Sequence, residues 1–217
     1  MRGLRGEDLA VKRIIRPIVQ VILILSLGLV LAGCAGPVKV DLKELSGSTM
    51  FFQKDNQLEV VSVESFSEDY YNAEELKNQI TAWLGEFNRS GDKVAFKDLV
   101  VADGIAKLDL KYKNSEAYES LNGIKTYYGT LAGAGQKGYD TNLFIGAVSA
   151  ENPNKILTAT AATDMDDVTV IILSQPIAIR TYEKIRFAST NVSIIDRQSA
   201  VATEDTSAAH PAVLILE

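Results

Sequence analysis

Two stretches, 93–101 and 105–112, set the first constraint on the fold. In the second, Ala106, Leu108, Leu110 and Tyr112 alternate with Lys107, Asp109 and Lys111. A period of two places these sets on opposite sides of a strand. Ala102-Asp103-Gly104 lies between the stretches and supplies the turn, where glycine tolerates positive φ. The expectation is an antiparallel hairpin with one wet face and one covered face.

A helix is expected over 72–88. Asn72 caps it, Glu75 stands three residues later, and Leu76, Ile80, Trp83, Leu84 and Phe87 share one face. Trp83 lies on that apolar stripe, so core packing is preferred to stacking on a sugar. Residues 49–53 and 57–63 read as a second hairpin around Lys54-Asp55-Asn56, and 115–122 as a short helix ending at Gly123. Residues 124–128 suit a strand, and 130–138 suit either a weak helix or a glycine-rich loop. Beyond them strands are expected at 143–149, 156–160, 168–173, 177–181, 184–188, 192–195 and 199–203. The fold class is α+β, mostly antiparallel, with two or three helices packed on one face. The division expected is 1–33 as a signal, 34–47 as a short tether with an extended stretch from Val38 to Lys43, 48–203 as one α+β domain, and 204–217 as a loose tail.

The start of the chain has its own logic. Arg2, Arg5, Lys12, Arg13 and Arg16 precede an apolar run from Ile18 to Ala32. A basic region, a short apolar region and small residues before a break mark a secretory signal. The run is short for a membrane span of about 20 residues. It ends in Leu31-Ala32-Gly33-Cys34, and Cys34 is the only cysteine. This resembles the lipobox of bacterial lipoproteins. The resemblance covers residues 1–34 and implies cleavage before Cys34 and a diacylglyceryl group on its thiol. An uncleaved signal anchor is the alternative. Ala35 follows the anchor rather than aspartate. By the same resemblance the destination is the outer membrane in a cell with two membranes, and the outer face of the cytoplasmic membrane otherwise.

Cleavage there changes the charge. The first 33 residues take five of the 22 basic and two of the 28 acidic residues, leaving 17 against 26 and a net charge of −9. An acidic domain is held away from an anionic membrane surface and lacks the basic footprint of a nucleic-acid binder. With Cys34 committed to lipid no internal disulfide can form, and the fold must rest on packing.

The motifs that suggest chemistry are thin. Gly133-Ala134-Gly135-Gln136-Lys137-Gly138 matches the dinucleotide fingerprint, but no helix is expected after it and no acid follows about twenty residues on. Ser90-Gly91-Asp92-Lys93 and Ser189-Thr190-Asn191 imitate parts of the penicillin-recognising set, yet the third part is incomplete and out of order. The single histidine, His210, falls in the expected tail, which leaves little room for Ser-His-Asp, Cys-His or zinc chemistry. Asp164, Asp166 and Asp167 form the densest acidic cluster and are weak candidates for Ca²⁺. The glycine and distal glutamate of an EF-hand are absent, and turn chemistry accounts for the cluster as well. Tyr70-Tyr71 and Tyr127-Tyr128 could line a groove, although in a strand one of each pair points inward. No catalytic residue and no cofactor is assigned.

The sequence therefore favours binding over catalysis: a lipid-anchored extracytoplasmic binding or accessory domain at the bacterial cell envelope. The partners expected are the membrane, through the lipid, and a further envelope protein. A carboxylate-dependent hydrolase of an envelope polymer, and a structural or adhesion spacer, are the alternatives.

Overall fold

The computed structural model describes residues 38–68, 71–91, 93–162 and 164–217. The expected signal, the lipobox Leu31, Ala32, Gly33 and Cys34, and Tyr70 lie outside them. Twelve strands among the described residues form two sheets. The larger contains β1 (Thr49–Phe52), β2 (Leu58–Ser65), β3 (Val94–Ala102), β4 (Ile105–Tyr112), β8 (Ile177–Thr181), β10 (Val192–Asp196) and β11 (Ser199–Ala202), in the order β10-β11-β8-β1-β2-β4-β3. The smaller contains β5 (Thr126–Thr130), β6 (Val148–Ser149), β7 (Thr169–Leu173), β9 (Ile185–Ala188) and β12 (Ala212–Leu216), in the order β5-β7-β12-β9-β6. Neighbours run antiparallel except β1 and β8, which are parallel.

Side-chain alternation explains how the sheets meet. Met50, Phe52, Leu58, Val60, Leu110 and Ile179 of the larger sheet share a core with Ile171, Leu173, Leu214 and Leu216 of the smaller. The residues between these on the smaller sheet, Val170, Ile172, Val213 and Ile215, enter a second core with Leu131, Phe144, Leu157 and Met165. The smaller sheet is thus buried on both sides, and its strands read as continuous apolar runs.

Four α-helices among the described residues complete the fold. Helix α1 (Ala73–Phe87) begins where the Asn72 side chain accepts from the Glu74 and Glu75 amides, at 2.9 and 3.1 Å. It buries Ile80 and Leu84 in the central core. At its end Asn88 Oδ1 accepts from the Lys93 and Val94 amides, fixing the entry into β3. Helix α2 (Ser115–Asn122) places Ala117 and Tyr118 in the same core and closes on Gly123 at φ 70°. Helices α3 (Leu131–Gln136) and α4 (Ala159–Ala162) lie between strands of the smaller sheet, and α3 adds Leu131 and Ala134 to the second core.

Several local expectations give way. The tail expected over 204–217 contains β12, which pairs with β7 on one side and β9 on the other. Residues 204–211 do form a loop. The five apolar residues after Pro211 lack alternation because both faces of β12 are covered. The strand expected over 156–160 is a single bridge at Ile156 followed by α4. The strand over 143–149 shrinks to β6, preceded by a 3-10 turn at Thr141–Phe144. The ambiguous 130–138 region resolves as α3, capped by the Thr130 hydroxyl.

The stretch from Val38 to Lys43, expected as a strand or an extended segment, joins neither sheet and turns at residues 42–44. Residues 38–48 cross the side of the larger sheet that faces away from the core. The Val38 carbonyl accepts from Gln53 Nε2 (3.0 Å), the Leu42 carbonyl from Lys107 Nζ (2.7 Å), and Ser48 Oγ from the Val63 amide (2.9 Å). Phe51 and Val61 point to this side. They are 2 % and 0 % exposed yet belong to neither core.

Candidate functional site

The side of the larger sheet under the strap carries a carboxyl pair. Asp109 projects from β4 between Lys107 and Lys111, opposite Val61 of β2 and Asp98 of β3. It is only 6 % exposed, and its Oδ1 has no hydrogen-bond partner. Glu59 stands two positions along on β2, on the same side of the sheet. Burial, then the charge of Glu59, push the Asp109 carboxyl from 3.8 up to about 7, with Lys97 opposing and Asp98 adding to the rise.

Glu59 also borders an open cleft of 320 Å³ lined by Val38, Gln53, Lys54, Asp55, Gln57 and Lys111. The 3-10 turn at Lys54–Asn56 shapes one wall. Asp55 and Asn56 both sit at φ 59°, a conformation that Asp and Asn tolerate better than most residues. The lining offers two ammonium groups, two carboxyls and two amides. Such a set suits a polar ligand held by hydrogen bonds and opposite charges.

The residues singled out from sequence are placed elsewhere. Asp164, Asp166 and Asp167 are exposed, while Met165 between them enters the second core. Among the described residues no three His, Cys, Asp or Glu side chains converge as metal ligands. Gly133 lies inside α3, where a Cβ would come within 2.5 Å of the Tyr127 hydroxyl, so this glycine answers a close approach rather than a phosphate. Lys93 Nζ donates to Ser90 Oγ at 2.9 Å on the exposed end of α1. Ser189 Oγ accepts from the Val213 amide, and Asn191 Nδ2 donates to Thr206 Oγ1 and the His210 carbonyl, so both serve the loop before β12. Tyr127 and Tyr128 are both buried, one in each core. The expected inward-outward split fails because the smaller sheet has no wet face. Tyr71 is exposed and stacks on Phe66 with ring centroids 4.7 Å apart.

Sequence reasoning missed Glu59 and Asp109. The alternation around Asp109 assigns it correctly to the side away from the core. What it lacks is the cover, which comes from a segment more than sixty positions earlier in the chain. The one available signal is Val38, Val40 and Leu42, an apolar stripe that needs a surface. Comparison of the chain with protein-family models, curated proteins and solved structures finds no match.

Proposed function

We propose that this protein is a lipid-anchored, extracytoplasmic domain of the bacterial cell envelope that acts by binding, as an accessory or ligand-binding subunit. The observation that carries the reading is Leu31-Ala32-Gly33-Cys34 behind a basic and then an apolar stretch. Two features support it. Val38 is already bonded to Gln53, only four residues after Cys34, so the connection spans at most about 14 Å. The cleft beside Glu59 lies at that same end of the sheet and is open and polar.

The test is acylation and fractionation of the native protein. Labelling with a clickable fatty acid should mark the wild-type chain and send it to the membrane fraction. Cys34→Ala should lose both the label and most of the membrane association. An intact Met1–Glu217 chain with a free Cys34 thiol would sink the reading.

A further inference from the structure

We propose that residues 38–48 form a proton-held latch: a proton on the buried carboxyl of Asp109 keeps the strap closed over the larger sheet, and its loss lifts the strap and bares Phe51 and Val61. The geometry carries the inference. The strap runs from Gln53 to Lys107 and back to Val63, and Asp109 lies inside that path. Among the described residues few bonds hold it: four to the sheet, the fourth from the Thr49 hydroxyl of β1 to the Gly47 carbonyl, and within itself the Lys43 and Glu44 amides to the Asp41 side chain and carbonyl. Beneath it an acid is nearly sealed from water with one oxygen unpartnered. A neutral acid is tolerated there. A second bare carboxylate is not, because its hydration is lost and Glu59 repels it.

The charges around Asp109 do not supply a compensating partner. Glu59 faces it from β2, Lys97 and Asp98 from β3, and Lys107 and Lys111 flank it on β4. Lys107 is engaged with the Leu42 carbonyl. The strap itself brings Lys39, Asp41, Lys43 and Glu44, a balanced set. Because the closed face binds the proton more tightly than an open one, closure is favoured in acid. That preference decays as pH rises from the ordinary carboxyl value of 3.8 to about 7 and is flat beyond. On the lipid-anchor reading, opening also lengthens the tether from roughly 14 Å to roughly 50 Å, since residues 35–48 become free to extend. The latch itself does not depend on that reading.

Hydrogen exchange on the purified full chain in detergent micelles tests it, with rates corrected for the intrinsic pH dependence of exchange. The Lys43, Glu44 and Val63 amides report the strap; those of Val213 and Leu214 report the sheets. Between pH 5 and pH 8, protection of the strap amides should fall by about tenfold to a hundredfold, while the β12 amides hold theirs. Asp109→Asn removes the buried acid and should leave the strap protected at pH 8. Glu59→Gln removes the neighbouring negative charge but leaves Asp109 buried, so it should shrink the drop severalfold without abolishing it, and it serves as the test if Asp109→Asn does not fold. Equal protection at both pH values in the wild type would overturn the latch. So would a drop of the same size in Glu59→Gln, or a matching drop at Val213 and Leu214. None of these outcomes bears on whether Cys34 is acylated.

Discussion

Gly133 and Gly135 lie two positions apart in one short helix, yet they answer different needs. A methyl group at Gly133 would meet the Tyr127 hydroxyl at 2.5 Å and the Thr130 hydroxyl at 3.0 Å. The Tyr127 ring is buried and its hydroxyl donates to the Thr130 carbonyl at 2.8 Å, so the ring has little room to yield. At Gly135 the nearest atom is a Thr141 methyl at 3.5 Å, an ordinary contact. Gly133→Ala should therefore cost about 1–3 kcal/mol through overpacking and a strained hydrogen bond. Gly135→Ala should be neutral or stabilise by up to about 1 kcal/mol, as alanine restricts the unfolded chain. Urea unfolding of both variants checks this, and equal effects would show that the Tyr127 contact does not govern the site. The residue pattern made these glycines visible but not their cause, because Tyr127 reaches Gly133 only once β5 and α3 are in place. Asn72 is the opposite case. Its cap depends on amides two and three residues away, so local sequence contained the whole answer.

At the scale of elements, legibility follows the number of wet faces. Strand β4 has an apolar side and a polar side, and its alternation announces it. Strands β7 and β12 have no wet side. β7 was still readable from its length and β-branched residues, whereas β12 was obscured by the loop before it. Yet β12 lies third of five in its sheet, with every residue buried. Leu214 faces the central core and pairs with Ile171 and Ala188 on its two sides. Leu214→Ala should destabilise the protein by about 2–5 kcal/mol. A chain ending at Pro211 should show no cooperative melting transition by circular dichroism, since both cores lose residues and β7 and β9 lose their common partner. A cooperative melt in the truncated chain would return 212–217 to the status of a tail. The strap was equally hidden, for a related reason. Val38, Val40 and Leu42 announce an apolar side, but no local signal says that its cover is the outer side of a sheet formed further along the chain.

Across the whole molecule, two acids, one buried and one half-buried, tilt stability toward low pH. Asp109 lies under the strap, and Glu64 projects from β2 toward the opposite side, the side of Val60. Burial pushes Glu64 from 4.5 up to about 7. A carboxyl with a raised value binds its proton more tightly folded than unfolded, so its contribution is fullest below the unfolded value. It declines as pH climbs toward about 7 and stays low above that. The net charge of −6 at pH 7 adds self-repulsion in the same direction. Many proteins are most stable between about pH 5 and 8; this one should melt a few degrees higher at pH 5 than at pH 8, with ionic strength held constant. The two acids can be separated because the sheet lies between them. Glu64→Gln should narrow the melting gap while leaving the exchange of Lys43, Glu44 and Val63 as pH-dependent as in the wild type. Asp109→Asn should flatten strap exchange and leave the share due to Glu64 in place. A wild-type melting temperature that rises from pH 5 to pH 8 would contradict the assignment of both acids. If Glu64→Gln flattened the strap response, the two sides of the sheet would be coupled, and the strap could not be treated as a local latch.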